Sequence, residues 1–148
     1  MLYAIHNPET GEITQANKVF VSPEELKPYE AMLTEFGQRF VKKADAPGLL
    51  PPERWYVDVK AGELVARPAM DACAEASTIK AGADAVITGI PKGASLDVYA
   101  TGYQVPVFSQ GSLDADEIEF PMPAPCRYRV LIRRWPYQDC AIDIEAVA

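Results

Sequence analysis

Ala83-Asp-Ala-Val-Ile-Thr-Gly-Ile-Pro-Lys-Gly-Ala-Ser-Leu-Asp-Val-Tyr99 and Cys126-Arg-Tyr-Arg-Val-Leu-Ile-Arg-Arg-Trp-Pro-Tyr137 decide how this chain folds. Both stretches alternate apolar and polar residues over five to seven positions and are then cut by Gly or Pro. Alternation at period two puts one set of side chains on each face of a strand, and the turn residues end it. Repeated in this way, the pattern describes a small β-sandwich. Further runs at Gln104–Phe108, Glu117–Phe120 and Cys140–Ala146 fit as additional strands. For Ala69–Ile79, helix propensity competes with the strand context, and an edge strand with a loop is the preferred reading.

Working outward, Leu2–His6 and Glu12–Val21 read as a hairpin closed by Asn7-Pro8-Glu9-Thr10-Gly11, where Pro presets φ and Gly supplies a positive one. Ser22-Pro23-Glu24-Glu25 starts a helix with an N-cap, a proline at the first position and a glutamate at the third. Leu26, Tyr29, Leu33 and Phe36 follow on one face, and Gly37 ends the helix. Gln38–Lys43 is a third strand. Asp45-Ala-Pro-Gly-Leu-Leu-Pro-Pro-Glu53 reads as a linker. The expected organisation is therefore a hairpin–helix unit over residues 1–43, a linker over 44–53 and a sandwich over 54–148. Residues 54–70 can also stand as a separate hairpin. At about 50 residues the first unit is marginal alone, so its helix face is expected to pack on the sandwich or on a second chain.

The 148 residues carry a formal net charge of −7 and a pI near 4.7. An acidic surface repels a phosphate backbone, which argues against nucleic acid as a partner. No run reaches the roughly 18–20 apolar residues of a membrane helix. The opening residues lack a basic region followed by an apolar stretch, which points to a cytoplasm as the place of synthesis.

Candidate chemistry is sparse. His6 is the single histidine, so a histidine triad or a multi-histidine metal site within one chain is excluded, and a place at the hairpin turn is expected. Cys73, Cys126 and Cys140 have no CxxC spacing and read as free thiols, with a Cys126–Cys140 bridge as the alternative. Gly89-Ile-Pro-Lys-Gly93 lacks the helix and Ser/Thr of a phosphate loop and reads as a turn. Asp114-Ala-Asp116-Glu117 reads as a solvated acidic loop, with a hard cation as the alternative. No cofactor, metal or catalytic residue is expected. Arg127, Arg129 and Arg133 alternate with Tyr128, Val130 and Ile132. They form either a solvated face or an interface to a neighbour's carboxylates. Trp135-Pro136-Tyr137 is either a core plug or a contact hot spot.

Three stretches carry a resemblance. They are Met1-Leu-Tyr-Ala-Ile-His-Asn-Pro-Glu-Thr-Gly-Glu-Ile13, Arg54-Trp-Tyr-Val-Asp-Val-Lys-Ala-Gly-Glu-Leu-Val-Ala-Arg-Pro-Ala-Met70, and the module from Ile87-Thr-Gly-Ile-Pro-Lys-Gly-Ala94 to Tyr128-Arg-Val-Leu-Ile-Arg-Arg-Trp-Pro-Tyr137. Together they resemble small tail-associated virion proteins of tailed bacteriophages, whose C-terminal portion is similar to a bacterial immunoglobulin-like domain. Where those proteins place a Gly before the Tyr of the penultimate strand, this chain has Cys126-Arg127. The resemblance implies a mainly β fold, with a hairpin–helix unit followed by an immunoglobulin-like sandwich. It implies a non-enzymatic structural role in a virion, tail or tail-fibre associated, made in the bacterial host cytoplasm. Implied partners are other virion proteins and further copies of the chain. The alternative is a host-surface or carbohydrate-binding module using Trp135, Tyr137 and Tyr99 as stacking faces.

Overall fold

The computed structural model describes every residue except 45, 47 and 49. The chain is mainly β, with a single α-helix among the described residues. It forms two compact units, Met1–Arg67 and Pro68–Ala148. The division therefore falls after Arg67 and not in the proline-rich stretch 44–53. Residues 54–67 belong to the first unit and not to the sandwich.

The first unit is organised about β1 (Leu2–His6), which pairs antiparallel with β2 (Ile13–Lys18) on one side and β3 (Arg39–Lys43) on the other. The turn between β1 and β2 is held by Asn7, whose Oδ1 accepts from the backbone N–H groups of Glu9 and Thr10 at 2.8 and 3.1 Å. Helix α1 (Pro23–Glu35) lies between β2 and β3 in sequence. Its start follows the sequence pattern: the Glu25 carboxylate accepts from both the N–H and the hydroxyl of Ser22. Its end is a double return of backbone bonds, Gly37 N–H to Thr34 and Gln38 N–H to Leu33, with Gly37 at φ +69°.

The four apolar residues assigned to the α1 face meet different fates. Leu26 and Leu33 are buried against Tyr3 and Ile5 of β1, with Tyr29 and Phe40 packed beside them. Phe36 is the C-cap, past the last helical turn, and is 72% exposed. The helix face is thus covered by its own sheet, and the expected need for a sandwich or a second chain does not arise. Three rings lock this contact: Tyr3 stands edge-on to Tyr29 at 5.0 Å and to Phe40 at 5.5 Å.

The opposite face of the same sheet is covered by a ribbon of β4 (Trp55–Asp58) and β5 (Glu63–Ala66). Val57 packs with Ala4 and Ile13, and Leu2 packs with Ala46 and Leu50. Residues 46 and 50 are therefore buried anchors. Of the expected linker, Asp45, Pro47 and Leu49 lie outside the described residues. Gly11 permits the ribbon's approach. It has φ +77°, its carbonyl accepts from the Val57 N–H at 2.8 Å, and a Cβ there would sit 1.8 Å from the Val57 carbonyl oxygen.

The second unit holds β6 (Cys73–Ala74), β7 (Thr78–Lys80), β8 (Asp84–Thr88), β9 (Ser95–Ala100), β10 (Phe108–Gln110), β11 (Ile118–Pro121), β12 (Arg127–Arg133) and β13 (Cys140–Val147). They form a five-stranded sheet, β10-β9-β12-β13-β7, and a three-stranded sheet, β11-β8-β6. The inward residues of both sheets share one core. Ala85, Ile87 and Phe120 come from the smaller sheet, and Leu96, Val98, Val130, Ile132 and Ile144 from the larger. Phe108 and Phe120 stack at 5.4 Å. β7 pairs parallel with β13, while the other pairings are antiparallel. The expected strand Gln104–Phe108 starts only at Phe108. The residues before it lie outside the paired strand, although the Val107 N–H donates to the Val98 carbonyl at 2.8 Å.

Two outcomes follow for the first unit. Leu50→Ala should lower its stability by about 2–5 kcal/mol, the cost of emptying a packed leucine site. A free linker predicts no change in chemical denaturation. The second concerns Glu30, which accepts from Lys42 Nζ at 3.0 Å and from the Tyr3 hydroxyl at 2.8 Å. These bonds, Lys42's first, hold its carboxyl below the ordinary 4.5. A lowered carboxyl contributes stability above its unfolded value and loses it as pH falls through the folded one. Thermal melts should therefore show Glu30→Gln less stable than the parent at pH 7, with the difference closing on acidification below 4.5.

Candidate functional site

The outer face of the five-stranded sheet carries the charged residues singled out by sequence. On β12, Tyr128, Val130 and Ile132 point into the core, and Arg127, Arg129 and Arg133 point out. Register sets their neighbours. Arg129 lies opposite Asp143 of β13 and Tyr99 of β9, and Arg127 lies opposite Glu145.

Arg129 and Arg133 meet carboxylates of their own unit, and Arg127 lies opposite Glu145 in register. Arg129 grips Asp143 with two bonds, Nε to Oδ1 at 2.9 Å and Nη2 to Oδ2 at 3.2 Å. This pairing raises the Arg129 pKa and lowers that of Asp143, to which the nearby Arg127 also contributes. Arg133 reaches Asp97 at 3.4 Å and Asp139 at 3.7 Å. Asp97 in turn accepts from the Ser109 hydroxyl. The row is consequently not a basic stripe waiting for an acidic partner. It is an alternating lattice of both signs, in which exposed pairs fix side-chain positions more than they add stability. Tyr99, Thr101, Arg127, Arg129 and Asp143 line a shallow depression of about 190 Å³ on this face.

Trp135-Pro136-Tyr137 follows β12 as a turn with a cis Trp135–Pro136 bond. Trp135 and Tyr137 are both half-buried and make contacts of their own within the chain. They are neither a fully buried plug nor free stacking faces. Leu26, Tyr29 and Leu33 are committed to the first unit's core, leaving Phe36 as the exposed member of that group. The structure thus separates the helix residues from the arginine row, in two different units.

Tyr128 closes the turn that leads through Cys126-Arg127 into β12. Its hydroxyl donates to the Ala124 carbonyl at 2.9 Å and accepts from the Ala124 N–H at 3.2 Å. A tyrosine near the start of a strand, bonded back to the backbone just upstream, has the hydrogen-bonding form of a tyrosine corner. The alternation sets Tyr128 on the face opposite the arginines and gives no sign of this hydroxyl role. The signal was available in its position at the start of the strand.

The cysteines are free thiols. Cys126 precedes β12, while Cys140 pairs with Ile132 at the strand's other end, so the alternative bridge spans the wrong ends of the hairpin. Burial, then the neighbouring Cys73, raises the Cys140 pKa. His6 bonds the Asn7 carbonyl through Nδ1 at 3.0 Å, at the hairpin turn. Asp114, Asp116 and Glu117 are exposed. Among the described residues, no group of three or more His, Cys, Asp or Glu is placed to hold a metal ion.

No family model, curated protein or solved structure matches the chain.

Proposed function

We propose that this chain is a structural component of a bacteriophage virion, associated with the tail or a tail fibre, which holds neighbouring virion chains through its sheet surfaces. The observation that carries the reading is the strand order of the second unit. An immunoglobulin-like sandwich sets one sheet's strands as A-B-E, with D at its edge in the constant type, and the other's as C-F-G, with additional strands beside C in the variable type. Here β6-β8-β11 corresponds to the first sheet. The order β10-β9-β12-β13 corresponds to the second with its added strand, and β7 is the portion of the first strand that crosses to pair with the last. The corner at Tyr128 falls on the strand where such domains carry it. A module of this kind presents rigid faces and loops at two ends, which suits it to holding partners.

The charged face is the surface this reading assigns to contact. Its lattice of Arg127, Arg129, Arg133, Asp97 and Asp143 is self-complementary in sign, so a partner must match a pattern and not merely a charge. A second reading, sugar binding, has one observation in its favour: Tyr99 shares its depression with Arg127, Arg129 and Asp143, an aromatic surface flanked by polar groups.

Mass spectrometry of purified phage particles should find the chain at a fixed stoichiometry to the tail proteins. Arg129→Glu combined with Arg133→Glu should leave circular dichroism of the isolated protein unchanged, since both positions point outward, and should reduce incorporation into particles. Normal incorporation of that double variant would falsify the assignment of this face. A glycan array bound by the parent but not by Tyr99→Ala would favour the sugar reading instead.

A further inference from the structure

From Val98 to Leu113 the chain carries no charged residue, its longest such run. Within this run Tyr103, Val105 and Val107 are 69%, 74% and 54% exposed. They recur at every second position, yet they precede β10. Beside them opens a groove of about 460 Å³, whose lining includes Ala100, Tyr103, Val107, Pro123, Ala124 and Tyr128. Two of the three hydroxyls at this groove are already occupied. Tyr128 is bonded to Ala124, and Thr101 donates to the Arg127 carbonyl at 2.8 Å. The groove therefore suits apolar side chains better than a small polar ligand. β10, which follows, is the outermost strand of its sheet and carries only Phe108, Ser109 and Gln110. Sheet edges are commonly guarded by charged side chains, and β10 has none.

We infer that this edge and groove form an interface between two copies of the chain, with Val105 of each copy seated in the groove of the other. Charge argues for a second copy as the occupant. A chain at −7 repels itself over most approaches, but across an uncharged segment two copies meet without like-charge opposition, and apolar burial acts unopposed. Shape argues the same way. Val105 is the most exposed of the three side chains and is not among the residues lining the groove. The segment thus offers a knob unused in its own copy beside a hollow that the knob does not fill. A two-fold axis satisfies both at once. The pairing is a property of the isolated protein and does not rest on the virion reading.

Sedimentation velocity on the purified full chain, from about 10 µM to about 1 mM, tests this over the range where weak interfaces populate. A concentration-dependent dimer is expected. Val105→Asp should weaken it at least about tenfold, with far-UV circular dichroism and melting midpoint unchanged. Val59→Asp, at an exposed apolar position of the other unit, should leave the dimer intact. Added salt should strengthen association, because it screens the repulsion between acidic copies and leaves apolar contact in place. A parent that stays monomeric throughout overturns the inference. So does a dimer indifferent to Val105→Asp, or one that dissociates with salt, which would point to the arginine–carboxylate face.

Discussion

A five-residue strand with no face left for water organises the first unit. Tyr3 and Ile5 of β1 point to the helix, and Leu2 and Ala4 point to the ribbon and to residues 46 and 50. Because side chains alternate, a strand buried on both sides needs two separate covers. The chain supplies both after β1: α1 directly after the hairpin and the ribbon after β3. That demand explains why Gly11 has no side chain and why Leu50 is buried. It also explains how so short a unit assembles a core of its own, with the sheet shared between two apolar layers.

The second unit meets the same geometry differently. β12 is central in its sheet, yet only one of its faces is apolar. Val130 and Ile132 join the common core, and the arginines remain on the outside among Asp97, Asp139 and Asp143. Adjacent strands bring opposite charges into register, so the outer face is ordered without being dry. The Tyr128 hydroxyl ties the entry of this strand to Ala124 and does by hydrogen bonding what a glycine turn does by conformational freedom.

Much of this was legible in the sequence because it is local. The alternation in β8, β9, β12 and β13, the Ser22–Glu25 helix start and the Gly37 stop each involve residues close together in the chain. What was not legible depends on distant partners. Prolines at 47, 51 and 52 announce irregular backbone, but they cannot say that Ala46 and Leu50 turn inward. Phe36 keeps the helical spacing of Leu26 and Leu33, yet the helix ends at Glu35 and takes it off the buried face. Tyr103, Val105 and Val107 alternate as a strand does, and only the start of the ladder at Phe108 reveals a loop. Asp143 stands 14 residues from Arg129 and Asp97 stands 36 from Arg133 in sequence, and no spacing rule connects them. Whether that row meets neighbours was beyond a single chain's sequence for the same reason.

The parallel pairing of β7 with β13 has a mechanical consequence. β7 follows the two-residue β6 near the start of the second unit, and β13 is its last strand; β7 and β13 run in the same direction with Thr78 beside Glu145 and Lys80 beside Val147. Tension that reaches the start of β7 and the end of β13 therefore pulls the strands past one another lengthwise. Their hydrogen bonds share the load together, whereas an antiparallel terminal pair would unzip with its bonds breaking in succession. Such a module is suited to transmitting force along the chain, and single-molecule stretching from its two ends would read the difference as a high rupture force that falls when β7 is removed.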